Sequence, residues 1–150
     1  MKKMKRLSVF LSVFAMFALV SLTSCKKVNG EASKYVGSYS FNSVVMEGNT
    51  MTATEFKELI KTMPEGSQKK KLTAMADMSF TLTDSYKFNG HNLPDPYGSF
   101  GDFSGEWEYS APTKEIIMIN KNEGFQWTFD AFSDGTIGKE NGEFKFILAK

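Results

Sequence analysis

The chain has 150 residues, with 18 basic and 17 acidic side chains, one Cys and one His. That length bounds one domain. A single Cys and a single His exclude a disulfide framework and leave too few donors for a zinc site. The balanced charge gives no electrostatic footprint for nucleic acid.

The chain opens with Lys2, Lys3, Lys5 and Arg6, continues as an apolar run from Leu7 to about Leu22, and reaches Thr23-Ser24-Cys25. Positive, then apolar, then small residues is the order of an export signal. The run is shorter than the ~20 apolar residues a membrane-spanning helix needs. Leu22-Thr23-Ser24-Cys25 resembles the lipobox of bacterial lipoproteins. The resemblance implies that residues 1–24 are a signal peptide and that Cys25 becomes the lipidated first residue. One acyl chain anchors only marginally, so more than one chain, palmitate among them, is implied on Cys25. The membrane is then a partner through those chains. Lys26 follows, where inner-membrane retention in many Gram-negative bacteria takes an Asp. No acidic cluster for surface export follows either. The expected location is therefore the outer membrane, facing the periplasm.

The first 24 residues hold four of the 18 basic residues and none of the 17 acidic ones, which leaves 126 residues with a formal charge of −3. Arg6 is the only Arg. A mature chain without Arg lacks the residue favoured for phosphate and base recognition. No nucleic-acid partner and no strongly anionic ligand is expected.

Residues 25–34 read as the lipidated Cys and a polar tether, with a reach of about 17 Å, and 35–150 as the domain. Tyr39, Phe41, Ser43 and Val45 alternate as a half-buried strand. Glu47-Gly48-Asn49 breaks it. Thr52 and Glu55 have capping-box spacing, and Phe56, Leu59, Ile60 and Met63 form a helical stripe. Pro64-Glu65-Gly66 ends that helix. A second, from Ser67 to Ala76, turns Leu72 and Met75 inward. Lys69-Lys70-Lys71 reads as a solvated face.

Alternation then resumes. Phe80 and Leu82 share a face, Thr83-Asp84-Ser85 turns, and Tyr86 and Phe88 follow. Asn89 to Gly98 reads as a loop. Phe103, Gly105, Trp107 and Tyr109 form the next set, Glu115 to Ile119 a β-branched strand, and Phe125, Trp127 and Phe129 another. Asp134-Gly135 and Asn141-Gly142 are hairpin dipeptides. Phe144, Phe146 and Leu148 close the chain. The expected fold is all-β: a small antiparallel up-and-down β-barrel of about eight strands, with a short helical insertion after strand one.

Val36-Gly37-Ser38-Tyr39, Phe80-Thr81-Leu82-Thr83-Asp84-Ser85-Tyr86, and Gly105-Glu106-Trp107-Glu108-Tyr109 with Ile116-Ile117-Met118-Ile119 resemble the lipocalin-like (calycin-like) domains of small bacterial lipoproteins. The first stands where that family places Gly-x-Trp, with Tyr39 in place of the Trp. The resemblance implies a barrel able to hold one small apolar molecule.

The candidate ligand-binding rings, by alternation, are Tyr39, Phe41, Phe103, Trp107, Tyr109, Trp127 and Phe129. Equally, those rings could fill the barrel. Gly101 and Gly105 share the face of Phe103 and Trp107, where they leave room for a ligand or permit a bend. The helices at 52–76 and the loop at 89–103 would rim the mouth. No catalytic residue, metal or cofactor is expected. His91 stands alone in a loop, and Asp84 and Asp134 fit turn positions. Asp95, Asp102 and Glu106 match no calcium-loop spacing. The expectation is a non-enzymatic, lipid-anchored envelope protein that binds a small apolar or neutral ligand. The alternative is a filled barrel acting through its loops as an inhibitor, assembly factor or complex subunit, with its protein partner unidentified.

Overall fold

The computed structural model describes residues 27–141 and 144–150. The export segment, Cys25 and Gly142 lie outside the described residues. Within them, nine strands form one antiparallel sheet: β1 (Gly37–Met46), β2 (Asn49–Thr52), β3 (Ser79–Leu82), β4 (Lys87–Pro94), β5 (Phe100–Ser110), β6 (Glu115–Asn120), β7 (Phe125–Ala131), β8 (Ile137–Asn141) and β9 (Phe144–Ala149). Two helices, α1 (Ala53–Thr62) and α2 (Ser67–Ala76), stand between β2 and β3, and a 3-10 turn (Gly30–Tyr35) precedes β1.

From β3 to β9 each strand pairs with the next. β9 then pairs back onto β1, from Ser40↔Ala149 to Met46↔Phe144. Eight strands thus close an up-and-down barrel, as expected, and closure protects most of the sheet edge. β2 is the addition. It shares one edge of β1 with β3: Gly37–Ser40 pair with β3, and Ser43–Met46 pair with β2. The break at Glu47-Gly48 is a two-residue turn with φ of 49° and 80°, the left-handed pair that suits a tight hairpin.

The capping box forms. Thr52 Oγ1 accepts from the Glu55 backbone N–H at 3.3 Å, and Glu55 Oε2 accepts from the Thr52 N–H at 2.8 Å. Phe56 and Ile60 are buried, with Ala53 and Met63 packed beside them. Leu59, expected on that stripe, instead stands 42% exposed. The buried line runs along the i, i+3, i+7 and i+10 positions from Ala53, which turns Leu59 to the flank.

Two further readings are corrected. The β1–β9 register slips between Phe41 and Ser43. A bulge adds one residue and inverts the alternation beyond it, so Val44 is fully buried and Val45 is not. The expected 89–98 loop is strand as far as Pro94. A second slip, between Gly90 and Leu93, lets β4 continue, with Asn92 taking up the distortion at φ 53°.

The core has two parts. In the barrel body, Tyr39, Phe80, Leu82, Phe88, Trp107, Ile116, Met118, Phe129, Ile137 and Leu148 pack together. At one end, Phe41 and Val44 meet Phe56, Ile60 and Ala76 of the helices. The 3-10 turn covers the opposite end. Tyr35 is buried there and donates through its hydroxyl to the Phe132 carbonyl at 3.1 Å, and Val28 N–H bonds the Asp84 carbonyl at 2.8 Å. The segment expected as tether is thus packed on the barrel from Val28 onward.

On the outer face, Glu106 accepts from Lys87 Nζ at 2.8 Å and from Lys121 Nζ. Hydrogen bonds from Lys121 and then Lys87 push its carboxyl down to about 2. A depressed carboxylate adds stability above its unfolded pKa and loses it as pH falls through the folded value. Glu106→Gln should therefore lower the urea midpoint near neutral pH, with the gap closing as pH falls from the ordinary carboxylate range of about 4 toward 2. Salt should narrow the gap.

Gly105 offers no spare room. A Cβ built there would lie 2.1 Å from the Ile119 carbonyl oxygen and 2.9 Å from the Phe88 ring. Gly105→Ala is expected to cost about 3 kcal/mol or more by overpacking, measured by equilibrium urea unfolding. A neutral result would mean that β5 and β6 do not approach so closely.

Candidate functional site

The seven candidate rings divide by position. Tyr39 and Trp107 are 1% and 2% exposed. Their polar tips are satisfied internally: Tyr39 Oη donates to the Gly135 carbonyl at 3.1 Å, and Trp107 Nε1 to the Thr83 carbonyl at 3.0 Å. Burial pushes the Tyr39 phenol upward. Phe41 packs against Phe56, centroids 5.4 Å apart. Tyr109 lies at the opposite, turn-covered end, 5.1 Å from Tyr35, and donates to Glu31 Oε2 at 3.2 Å. Phe103 leans on Phe125 and Trp127 at 5.5 and 5.2 Å. Side chains therefore fill the barrel body where these rings meet.

Open space lies at the helix-covered end. β7 and β8 pair at only two positions, Asp130↔Gly138 and Ala131↔Ile137. Beyond them the strands part, while β8 stays paired to β9 as far as Asn141↔Phe144. A cavity of about 550 Å³ occupies this parting. Trp127 and Phe129 of β7 form one wall, and Phe146 of β9 stands opposite. Met75 of α2 and Met78 form a third side, and Pro94 and Phe100 close the rim. Of the segments expected at the rim, the second helix contributes Met75 and the 89–103 segment contributes Pro94 and Phe100, while no residue of α1 lines the cavity. Trp127 is pinned there, its Nε1 donating to the Pro94 carbonyl at 2.7 Å.

The lining is mainly apolar, with Gln126, Thr128, Lys139 and Glu140 at its edge. Lys139 Nζ donates to the Thr128 carbonyl at 2.9 Å, across the gap that backbone pairing leaves. Glu140 faces Lys145 at 3.6 Å. Such a space offers burial to an apolar body and hydrogen-bonding groups to one polar end. Alternation pointed to Trp127, Phe129 and Phe146, and helical spacing to Met75. Nothing in the sequence marked Lys139, because its role follows from where pairing stops.

The residues weighed for metal or acid–base work are dispersed. Asp95 caps its own turn, accepting from the Tyr97 and Ser99 N–H groups at 2.8 and 2.9 Å. Asp102 meets His91, and Glu106 meets its two lysines. Among the described residues no group of three His, Cys, Asp or Glu side chains converges.

Closure and meander order together define an eight-stranded antiparallel up-and-down barrel with one added strand and short helices after the early strands. No family model and no curated protein matches the chain. Among solved structures, a lipocalin-like protein from Bacteroides uniformis ATCC 8492 is similar. It is 15% identical, the match covers 78% of this chain and 98% of that one, and the TM-score is 0.40.

If Lys139 holds the two strands together where backbone bonds are missing, Lys139→Met should raise amide exchange along Gln126–Phe129 and at Lys139–Glu140, by about fivefold for one lost bond of roughly 1 kcal/mol. The β4–β5 amides should be unchanged. Hydrogen exchange by NMR reads both.

Proposed function

We propose that this is a lipid-anchored cell-envelope protein that holds a small apolar or neutral ligand at the parted mouth of its barrel. The observation that carries the reading is the apolar cavity between β7, β8 and α2, on a barrel whose body is otherwise packed. The lipobox-like Leu22-Thr23-Ser24-Cys25 supports lipid attachment, and Lys26 after it, with no acidic cluster following, supports the outer membrane, facing the periplasm. The −3 charge of the residues after the signal and their lack of Arg favour a ligand without strong negative charge. The ligand's polar end would meet Gln126, Lys139 or the free edge of β7. Its apolar body would lie against Met75, Trp127 and Phe146. The reading is non-enzymatic and needs no cofactor.

The packed barrel body favours a second reading, an interaction module that acts through its surface with no cargo. Binding separates the two. Trp107 and Trp127 are the chain's two tryptophans, and one of them lines the mouth. A neutral brominated alcohol such as 11-bromoundecanol should quench the fluorescence saturably in the wild type and in Trp107→Phe, and not in Trp127→Phe. Met75→Glu, which sets a carboxylate against the cavity, should weaken binding about tenfold or more. Absence of saturable quenching would leave the interaction module as the better reading.

A further inference from the structure

Across β1, β3, β4 and β5, strand register aligns two rows of polar side chains on the barrel's outer surface. Ser38, Thr81, Asn89 and Ser104 form one row through successive cross-strand pairs. Ser40, Ser79 and His91 form the next, and Asp102 completes it opposite the β4 bulge. Neighbours within a row lie about 4.8 Å apart, and the rows about 6.7 Å apart. Because these side chains are small, the strand backbone becomes the floor of a groove of about 550 Å³.

The groove is chemically uniform. Its outward side chains are hydroxyls, one amide and the His91–Asp102 pair. Ser38 and Thr81 hydroxyls bond each other at 2.8 Å. Among the described residues, Ser40, Ser79, Asn89 and Ser104 make no side-chain hydrogen bond within the chain and face solvent with donors and acceptors available. Asp102 Oδ1 lies 2.6 Å from His91 Nδ1 and accepts from the Asn92 N–H at 3.4 Å. The bulge therefore holds the imidazole in place and leaves Nε2 for an outside partner. The nearest cation along these strands, Lys87, is paired with Glu106 at 2.8 Å and borders the groove.

Each class of occupant meets a different response. An apolar partner finds no ring on this face, because Tyr39, Phe80 and Phe103 point inward. An anion finds Asp102 and no unpaired cation. Ser79, His91 and Asp102 lie in the order of a nucleophilic triad, but His91 and Asp102 are 59% and 73% exposed, where triad chemistry uses a buried acid in an enclosed site. A neutral, hydroxyl-rich chain matches the groove: it can give and accept many hydrogen bonds, each modest in net strength.

We propose that this outer groove binds a neutral polyhydroxylated ligand, a saccharide chain lying along the two rows. It is a separate site from the mouth, so its failure leaves the mouth reading intact. The test is an NMR titration of the purified full chain with maltopentaose, cellopentaose and chitopentaose, with a sulfated oligosaccharide as the charged control. Saturable shifts with at least one neutral probe, confined to amides of Ser38–Ser40, Ser79–Thr81, Asn89–His91 and Asp102–Ser104, are expected. Asn89→Lys and Ser104→Lys, both at exposed positions, should each weaken binding by about tenfold by replacing hydrogen-bonding groups with a bulky charge, with the thermal midpoint unchanged. The proposal is overturned by no saturable shift with any neutral probe, by shifts centred on Trp127 and Met75, or by binding of the sulfated control alone. Equal affinity in both lysine variants would do the same.

Discussion

Eight strands close a barrel that is only wide enough for side chains to fill or for one small molecule, and in this chain large rings claim that width. Tyr39, Phe80, Phe88, Trp107 and Phe129 are each buried to 5% exposure or less, and interiors pack too densely to share such space with cargo. Space for a ligand inside the barrel must then come from a place where the barrel's regularity fails. It fails where β7 and β8 stop pairing after two positions. There the backbone edge is bridged by Lys139, the roof is α2, and the apolar lining has no interior partner.

The two ends differ in how they are covered. At the 3-10 turn, Tyr35 packs on Tyr109 and Trp107 on Tyr86, and the polar tips of Tyr35, Trp107 and Tyr109 find partners on the chain. That end is a seal. The helical end is covered by α1 and α2, whose buried contacts gather around Phe41 and Val44, on the β1 side. Methionine is the flexible, adaptable side chain of apolar surfaces, and Met75 and Met78 reach from that side toward the parted strands. A rigid body with an adaptable rim is the arrangement that positions a binding site without sacrificing the core.

Much of this was legible in the sequence where the signal is local. Period-two rings placed the barrel strands, Thr52 and Glu55 placed the start of the first helix, and Asp134-Gly135 placed a hairpin whose Gly135 has φ 88°. The failures share a cause. The bulge after Phe41 shifts the inward position from Val45 to Val44 without altering composition. The bulge near His91 lets Gly90, Asn92 and Pro94, all turn-formers by composition, sit in a strand. The parting of β7 from β8 depends on how far two strands stay in register, a nonlocal property. Alternation thus identified Trp127 and Phe129 as inward rings but could not separate them from Trp107, which faces inward in the same way and lies away from the mouth.

The central claim is that the barrel body is packed and that space for an apolar ligand within the barrel is confined to the mouth. A crystal structure of the protein soaked with 11-bromoundecanol, with bromine located by anomalous scattering, tests it most directly. The account predicts a bromine peak between Met75, Trp127 and Phe146. A peak among Phe80, Trp107 and Met118 would show that the body opens to cargo and would contradict it.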